Sequence, residues 1–156
     1  MSAFLGWAVL TFAVAALGAF GSRTAPTFYP TLDRPAWAPP GWLFGPAWSV
    51  LYSMMAVAIW LVWRERGAGA AVGAAVGLYV LQLVLNALWS WIFFSWRNGG
   101  WAFVEAIAMW VAILATAIAF ARVRPLAAAL LVPYLVWVAY ATALTWAVWR
   151  ANPGRL

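Results

Sequence analysis

The stretch from Ala70 to Trp96, AAVGAAVGLYVLQLVLNALWSWIFFSW, contains no charged residue. It exceeds the roughly 20 apolar residues that an α-helix needs to cross a bilayer, so it predicts a membrane span with room for tilt. Four more apolar stretches flank it, and Arg-containing links separate them. The predicted spans cover residues 3–22, 44–63, 70–96, 100–121 and 126–149. We therefore expect residues 1–156 to form one all-α integral membrane domain, a bundle of five transmembrane helices.

The composition agrees with a membrane protein and argues against other classes. The chain is 68% hydrophobic, its mean hydropathy is +0.92, and only 8% of its residues are charged, whereas soluble domains have about 25% charged residues. All nine basic residues are arginines near the predicted span ends, where long cationic side chains reach the membrane interface. The net charge of +6 therefore does not predict a nucleic-acid partner.

The links between the spans bear on topology. Because most of them are short, consecutive helices are expected to be antiparallel neighbours. No basic residue precedes the first span, so it is not expected to be a cleaved signal peptide. One side of the membrane would hold Arg64, Arg66, Arg122 and Arg124, and the other Arg23, Arg34, Arg97, Arg150 and Arg155. This near-even split does not choose an orientation.

Few side chains are available for catalysis. The chain has no His and no Cys, which removes the usual general base and the commonest metal ligands. Its acids, Asp33, Glu65 and Glu105, are far apart in sequence, so no acid–base pair, metal site or obligatory cofactor is predicted. Glu105 lies within the fourth span near its start, where the helix dipole, snorkelling or an Arg partner would stabilise it. A ligand or proton role for Glu105 remains open.

Polar residues form one stripe in the third span. Gln82, Asn86 and Ser90 are spaced four apart and so share a helix face. Polar side chains are costly in lipid, so the stripe should face other helices or a cavity. It would either form interhelical hydrogen bonds or orient a ligand, with Asn86 the first candidate.

Glycines form a second pattern at the start of the same span. Gly69, Gly73 and Gly77 are also four apart, with small residues between them. Two successive GxxxG steps make a smooth strip that another helix can approach closely. The strip predicts a homodimer interface, and packing within the chain is the alternative.

Aromatic residues lie inside the second and fifth spans. Trp48 and Tyr52 are one turn apart, and Trp137, Ala141 and Thr145 share a face. Trp48 and Trp137 lie a turn or more from the span ends, which weakens an explanation by interfacial aromatic belts. Pro133 removes a backbone hydrogen bond in the fifth span and predicts a kink.

The connection between the first two spans is unusual for its length and its rings. Residues 34–48 read RPAWAPPGWLFGPAW, with three Trp and four Pro residues. Proline restricts the backbone and should keep this connection from forming regular structure. We expect residues 23–43 to form a long ordered loop that caps a pocket at the bundle end, with Asp33 and Arg34 at its solvated rim.

Three motifs resemble those of the translocator protein family, also called tryptophan-rich sensory proteins. They are FYPTLDRPAWAPPGWLFGPAW at 28–48, LVLNALWSWIFF at 83–94 and PYLVWVAYATAL at 133–144. The family often has Trp where Phe28 stands and Lys where Arg34 stands. Near the end of the fifth span, Trp146 takes the place of the Tyr in the family's sterol-recognition segment, and such motifs are weak in any case.

The resemblance implies a generally dimeric five-helix bundle that binds porphyrins, such as protoporphyrin IX or haem, and other hydrophobic ligands, including sterols and benzodiazepine-type drugs. Its implied ligand-binding residues, together with those found from the spans, are Tyr29, Trp37, Pro39, Trp48, Tyr52, Asn86, Trp89, Ala106, Met109, Trp137 and Ala141. The leading hypothesis is a receptor or sensor. The alternatives are light- and oxygen-dependent porphyrin breakdown that uses Trp48 and Trp137, and transport of tetrapyrroles or sterols.

Overall fold

A computed structural model describes residues 2–156, and all regular elements of that part are helical. The helices are α1 (Ser2–Gly21), the short α2 (Ala25–Phe28), α3 (Phe44–Arg64), α4 (Ala70–Ser90), α5 (Gly99–Val123) and α6 (Pro125–Ala151). The five long helices match the predicted spans to within a few residues, except that α4 ends in a π-helical turn, Trp91–Ser95. Each is long and apolar enough to cross a membrane. The prediction of a five-helix membrane bundle is confirmed.

The outer surface of the bundle is apolar, as lipid requires. Large side chains such as Val9 and Val136 remain about two-thirds exposed. Helix α1 is the most peripheral of the five long helices, because only 11% of its most apolar 18-residue stretch is buried. In water such a surface would be an aggregation site, whereas in a bilayer it is the normal solvent-facing surface.

The long helices form a closed ring in the order α1, α3, α6, α5, α4. Helix α5 packs extensively against both α4 and α6, while α1 bridges α3 and α4. The expectation that consecutive helices are the main neighbours is wrong for α3 and α4, which contact each other only briefly despite their short link. The buried side chains of Tyr52 and Asn86 nevertheless join α3 to α4 by a hydrogen bond.

Two apolar clusters fill the ring. The larger one occupies the middle of the bundle around Met55, Ile59 and Ile113. The smaller one lies at the loop end around Phe28, Tyr29 and Phe93. The side chain of Trp89 packs against both clusters and marks the level where they meet.

The Trp149 side chain of α6 packs closely against the backbone of α5 at the loop end. A Cβ atom added to Gly99 would lie 2.6 Å from Cδ1 of Trp149, well inside contact distance. Only glycine lets the indole ring lie flat against the start of α5. This contact fixes the beginning of α5 against the end of α6.

The loop between α1 and α3 is ordered but not irregular throughout. It contains α2 and two 3₁₀ turns, Tyr29–Thr31 and Gly41–Leu43. The prediction that proline prevents regular structure is therefore wrong for these turns, because proline is favoured at the first positions of a helix, where no N–H donor is needed. Pro26 and Pro30 occupy such positions.

The loop is attached to α6 and to the residue that directly follows it. Asn152 accepts a hydrogen bond from the Asp33 backbone N–H and donates one to the Asp33 carbonyl, both at 2.9 Å. The Tyr140 hydroxyl donates to the Trp37 carbonyl at 2.9 Å. These bonds hold the loop against the bundle end and leave the side chains of Asp33 and Arg34 exposed.

Candidate ligand-binding site

A chain of buried hydrogen bonds crosses the middle of the bundle. The Tyr52 hydroxyl of α3 donates to Asn86 Oδ1 of α4. Asn86 Nδ2 then donates to the Tyr134 hydroxyl of α6 at 2.8 Å, and that hydroxyl donates to Gln82 Oε1 at 2.9 Å. Three helices are thus joined through the polar stripe that the sequence placed on α4.

Sequence reasoning identified Tyr52, Asn86 and Gln82 but missed Tyr134, which completes the network. Tyr134 is fully buried. A signal was present, because Tyr134 directly follows the in-helix Pro133 and lies one turn before Val138 on the inward face. The third residue of the predicted stripe, Ser90, does not join the network. Its Oγ lies 3.6 Å from the position of a Cβ on Gly18, so Ser90 faces α1.

Aromatic rings surround this network on the loop side. The Trp48 ring stacks on Tyr52, with centroids 5.4 Å apart and planes 29° apart. The same ring meets Tyr134 and Trp137 edge-on, at 6.0 and 6.4 Å. The predicted pair Trp48 and Trp137 is therefore in contact, although α3 and α6 are distant in sequence.

Several buried polar atoms in this region have no hydrogen-bond partner among the described residues. They are Gln82 Nε2, the indole nitrogens of Trp89 and Trp137, and both carboxyl oxygens of Glu105. Buried polar groups are normally satisfied, and those left free often mark a binding site or unseen water. Trp89, Trp137 and Gln82 thus each carry an N–H donor that has no partner among the described residues.

Glu105 lacks the stabilising surroundings that the sequence predicted for it. It is buried, with 7% of its surface exposed, so it does not snorkel to the interface. It also has no Arg partner, since the ion pair found among the described residues joins Arg124 to Glu65 on the opposite side. The second turn of α5 turns this side chain inward, on the face that carries Ala102 and Met109.

The remaining predicted residues divide between the bundle and the loop. Ala106 and Met109 are buried on the inner face of α5, and Ala141 is half-buried on α6. The Thr145 hydroxyl bonds to the Ala141 carbonyl at 2.7 Å, so it serves its own helix. Trp89 stacks on Phe93, with centroids 5.1 Å apart.

The loop residues form a small cap. The Tyr29 hydroxyl donates to the Pro39 carbonyl at 3.2 Å, and both residues are buried. Burial raises the pKa of Tyr29, against the lowering effect of the Arg34 guanidinium 4.6 Å from its ring centroid. Trp37 is half exposed and packs its ring against Tyr140, with centroids 5.7 Å apart.

An open crevice of about 400 Å³ reaches this site from the side of the bundle. It lies between α3 and α6 and is lined by Pro46, Ala47, Val50, Leu51, Met54, Pro133 and Trp137. Helix α6 continues through Pro133 to Ala151. The Trp137 ring therefore lines an opening on the side of the bundle.

The glycine strip lies outside the site. A Cβ added to Gly73 or Gly77 would meet no atom within 4 Å, so these glycines are not packed within the chain. Gly69 has a φ of +66° and caps α4 before its first residue, a conformation that favours glycine. Gly69 is thus also explained by the turn.

Comparison with known proteins agrees with this architecture. The sequence profile of the TspO/MBR family matches residues 7–150. A translocator protein of Homo sapiens is 47% identical over 129 residues, covering 81% of this chain and 76% of that protein. A tryptophan-rich sensory protein of Cereibacter sphaeroides is 35% identical over 155 residues, covering 97% of this chain and 96% of that protein. The chain, a multi-pass integral membrane protein, therefore belongs to the TspO/MBR family.

Proposed function

We propose that the protein is a membrane receptor or sensor that binds porphyrins and similar flat hydrophobic ligands. The site lies between α3, α4 and α6, and the loop of residues 23–43 caps it. The observation that carries this proposal is the contact of Trp48 with Tyr52 and Trp137 beside buried N–H groups that lack partners. Flat aromatic surface with a few polar anchors is what a tetrapyrrole requires of a binding site.

The polar groups of the ligand would find partners at two levels. Within the bundle, the indole N–H groups of Trp89 and Trp137 are free donors. At the cap, the exposed guanidinium of Arg34 lies over the Tyr29 ring and can pair with a porphyrin propionate. A porphyrin seated this way would place its apolar macrocycle inside and its carboxylates at the membrane surface.

Titration with protoporphyrin IX in the dark tests the proposal. We expect saturable quenching of tryptophan fluorescence and a shift of the Soret absorbance band, both with a micromolar-range affinity. Trp48→Phe and Trp137→Phe should each weaken the affinity about two- to tenfold, because aromatic pairs contribute roughly 0.5–1.5 kcal/mol beyond burial.

Trp146→Phe is the matched control, because Trp146 lies on the same helix as Trp137 but is 50% exposed on its outer surface. The Soret shift is needed beside quenching, since each variant also removes a fluorophore. If Trp48→Phe and Trp137→Phe both bind protoporphyrin as the unmodified protein does, the site is placed wrongly.

A second candidate function is light-dependent porphyrin oxidation with dioxygen as the oxidant. The edge-on contact of Trp48 and Trp137, with centroids 6.4 Å apart, favours it, because adjacent indoles beside the ligand can pass electrons from the porphyrin to dioxygen and return to their starting state. Illumination of the aerobic complex separates the two functions. Absorbance bands of new products would support degradation, and an unchanged porphyrin spectrum would leave binding alone.

A further inference from the structure

A basic pocket lies at the loop end of the bundle, apart from the porphyrin site. It has a volume of about 550 Å³ and is lined by Phe28, Arg97, Gly154, Arg155 and Leu156. Two arginines thus face one space, and neither has a carboxylate within ion-pair distance among the described residues. Like charges placed together repel each other, and an anion beside the two guanidinium groups would relieve that repulsion.

Both guanidinium groups are held in position by their neighbours. Arg155 donates from Nη2 to the Thr31 hydroxyl at 2.8 Å and from Nη1 to the Thr31 carbonyl. Arg97 lies over the Phe28 ring, with Cζ 4.6 Å from the centroid. Each guanidinium has five N–H donors, and these contacts leave several free. Fixed cations with free donors bind an oxyanion without first losing side-chain freedom.

The backbone at Arg97 gives independent support. Arg97 has a φ of +52° and is the one non-glycine residue of the described chain with a positive φ. It follows the π turn that ends α4, and Asn98 behind it caps α5 by accepting from the Trp101 N–H. Glycine or asparagine would adopt this conformation more easily. Arginine in this conformation costs energy, and such a cost indicates a functional demand on the side chain.

The level of the pocket relative to the membrane surface indicates which kind of anion it binds. Trp96 precedes Arg97 and is 62% exposed, and Trp101 follows it and is 67% exposed. Exposed Trp side chains at helix ends lie at the level of the lipid headgroups. Arg97 lies between these two positions in the chain, so it belongs at headgroup level, where a lipid phosphate is a better partner than a soluble anion.

We propose that this pocket binds the phosphate of an anionic phospholipid, with Arg97 and Arg155 as its donors. The headgroup would enter beside Phe28, and the acyl chains would lie along Trp96 and Trp101. Because Arg155 also bonds to Thr31, the bound lipid would connect the cap loop, the α4–α5 link and the C-terminal segment. Anionic lipid headgroups attract clustered Arg and Lys side chains at the membrane surface.

The test is lipid retention by the purified full chain in detergent, measured by native mass spectrometry. Delipidated protein is mixed with equal amounts of phosphatidylglycerol and phosphatidylcholine. We expect the protein to retain phosphatidylglycerol preferentially, and Arg97→Gly and Arg155→Gln each to reduce this preference about fivefold. Arg122→Gln is the control, because Arg122 is an exposed arginine at the opposite side of the membrane.

Thermal unfolding separates binding from folding. Arg97→Gly should unfold at or above the temperature of the unmodified protein without lipid, since glycine relieves the positive φ. A clearly lower temperature would make Arg97 a structural residue and overturn the proposal. Undiminished phosphatidylglycerol preference in Arg97→Gly would also overturn it. Excess glycerol 3-phosphate should not displace the lipid, and full displacement would overturn the assignment to a lipid.

Discussion

The fully buried hydroxyl of Tyr134 offers the sharpest test of what holds the bundle together. In Tyr134→Phe, Asn86 Nδ2 loses its acceptor and Gln82 Oε1 loses its donor, while the ring remains. An unsatisfied buried group costs about 1–3 kcal/mol in soluble proteins, whereas hydrogen bonds between transmembrane helices average about 0.6 kcal/mol. Asn86 and Gln82 lie one turn apart and can pair with each other in the variant. Two lost bonds of this strength, partly offset by the new pairing, give an expected loss of about 1 kcal/mol.

Reversible unfolding in mixed micelles of increasing SDS fraction, followed by circular dichroism, measures this loss. Tyr140→Phe is the matched control on the same helix, because the Tyr140 hydroxyl is exposed and bonds only to the Trp37 carbonyl of the loop. Its effect should be below about 0.5 kcal/mol, as for surface substitutions generally. If Tyr134→Phe and Tyr140→Phe unfold at the same SDS fraction as the unmodified protein, the network does not stabilise the bundle.

Three further predictions follow from individual contacts. Gly99→Ala should destabilise the bundle by about 1–3 kcal/mol in the same unfolding assay, because its Cβ would lie 2.6 Å from the Trp149 ring. Gly45→Ala should be neutral, because a Cβ at that position would meet no atom within 4 Å. Gly73→Leu and Gly77→Leu should leave the helical circular dichroism spectrum unchanged. In light scattering, each should convert a detergent-solubilised homodimer to a monomer, and a persistent dimer would disprove this interface. Asn152→Ala removes both bonds to Asp33 and should speed trypsin cleavage after Arg23, and porphyrin should slow this cleavage in the unmodified protein. Cleavage that is fast in both proteins and indifferent to porphyrin would show that the loop is not a lid.

The site was only partly predictable from the sequence. Some of its features follow from residues close together in the chain, and others depend on residues that only the fold brings together. Asn86 and Gln82 could be found from spacing, since polar residues four apart in an apolar helix must face inward. Tyr134 could not be assigned its role this way, because its partners lie on α4, about 50 residues away in sequence. The sequence predicted that the Glu105 carboxylate is stabilised near the start of a helix. The structure shows instead that the carboxylate is buried and that neither oxygen has a hydrogen-bond partner among the described residues.

The positions of the five spans were determined by the sequence alone, because a bilayer imposes a local rule on every helix that crosses it. About 20 apolar residues must follow one another, whichever helix packs beside them. The order of the helices around the ring was decided only by the tertiary structure. Side-chain shape at each contact, such as Gly99 beneath Trp149 or the paired rings of Trp48 and Tyr52, selects the neighbours. Lipid is as apolar as the helix surfaces, so hydrophobicity cannot make that choice and close packing must.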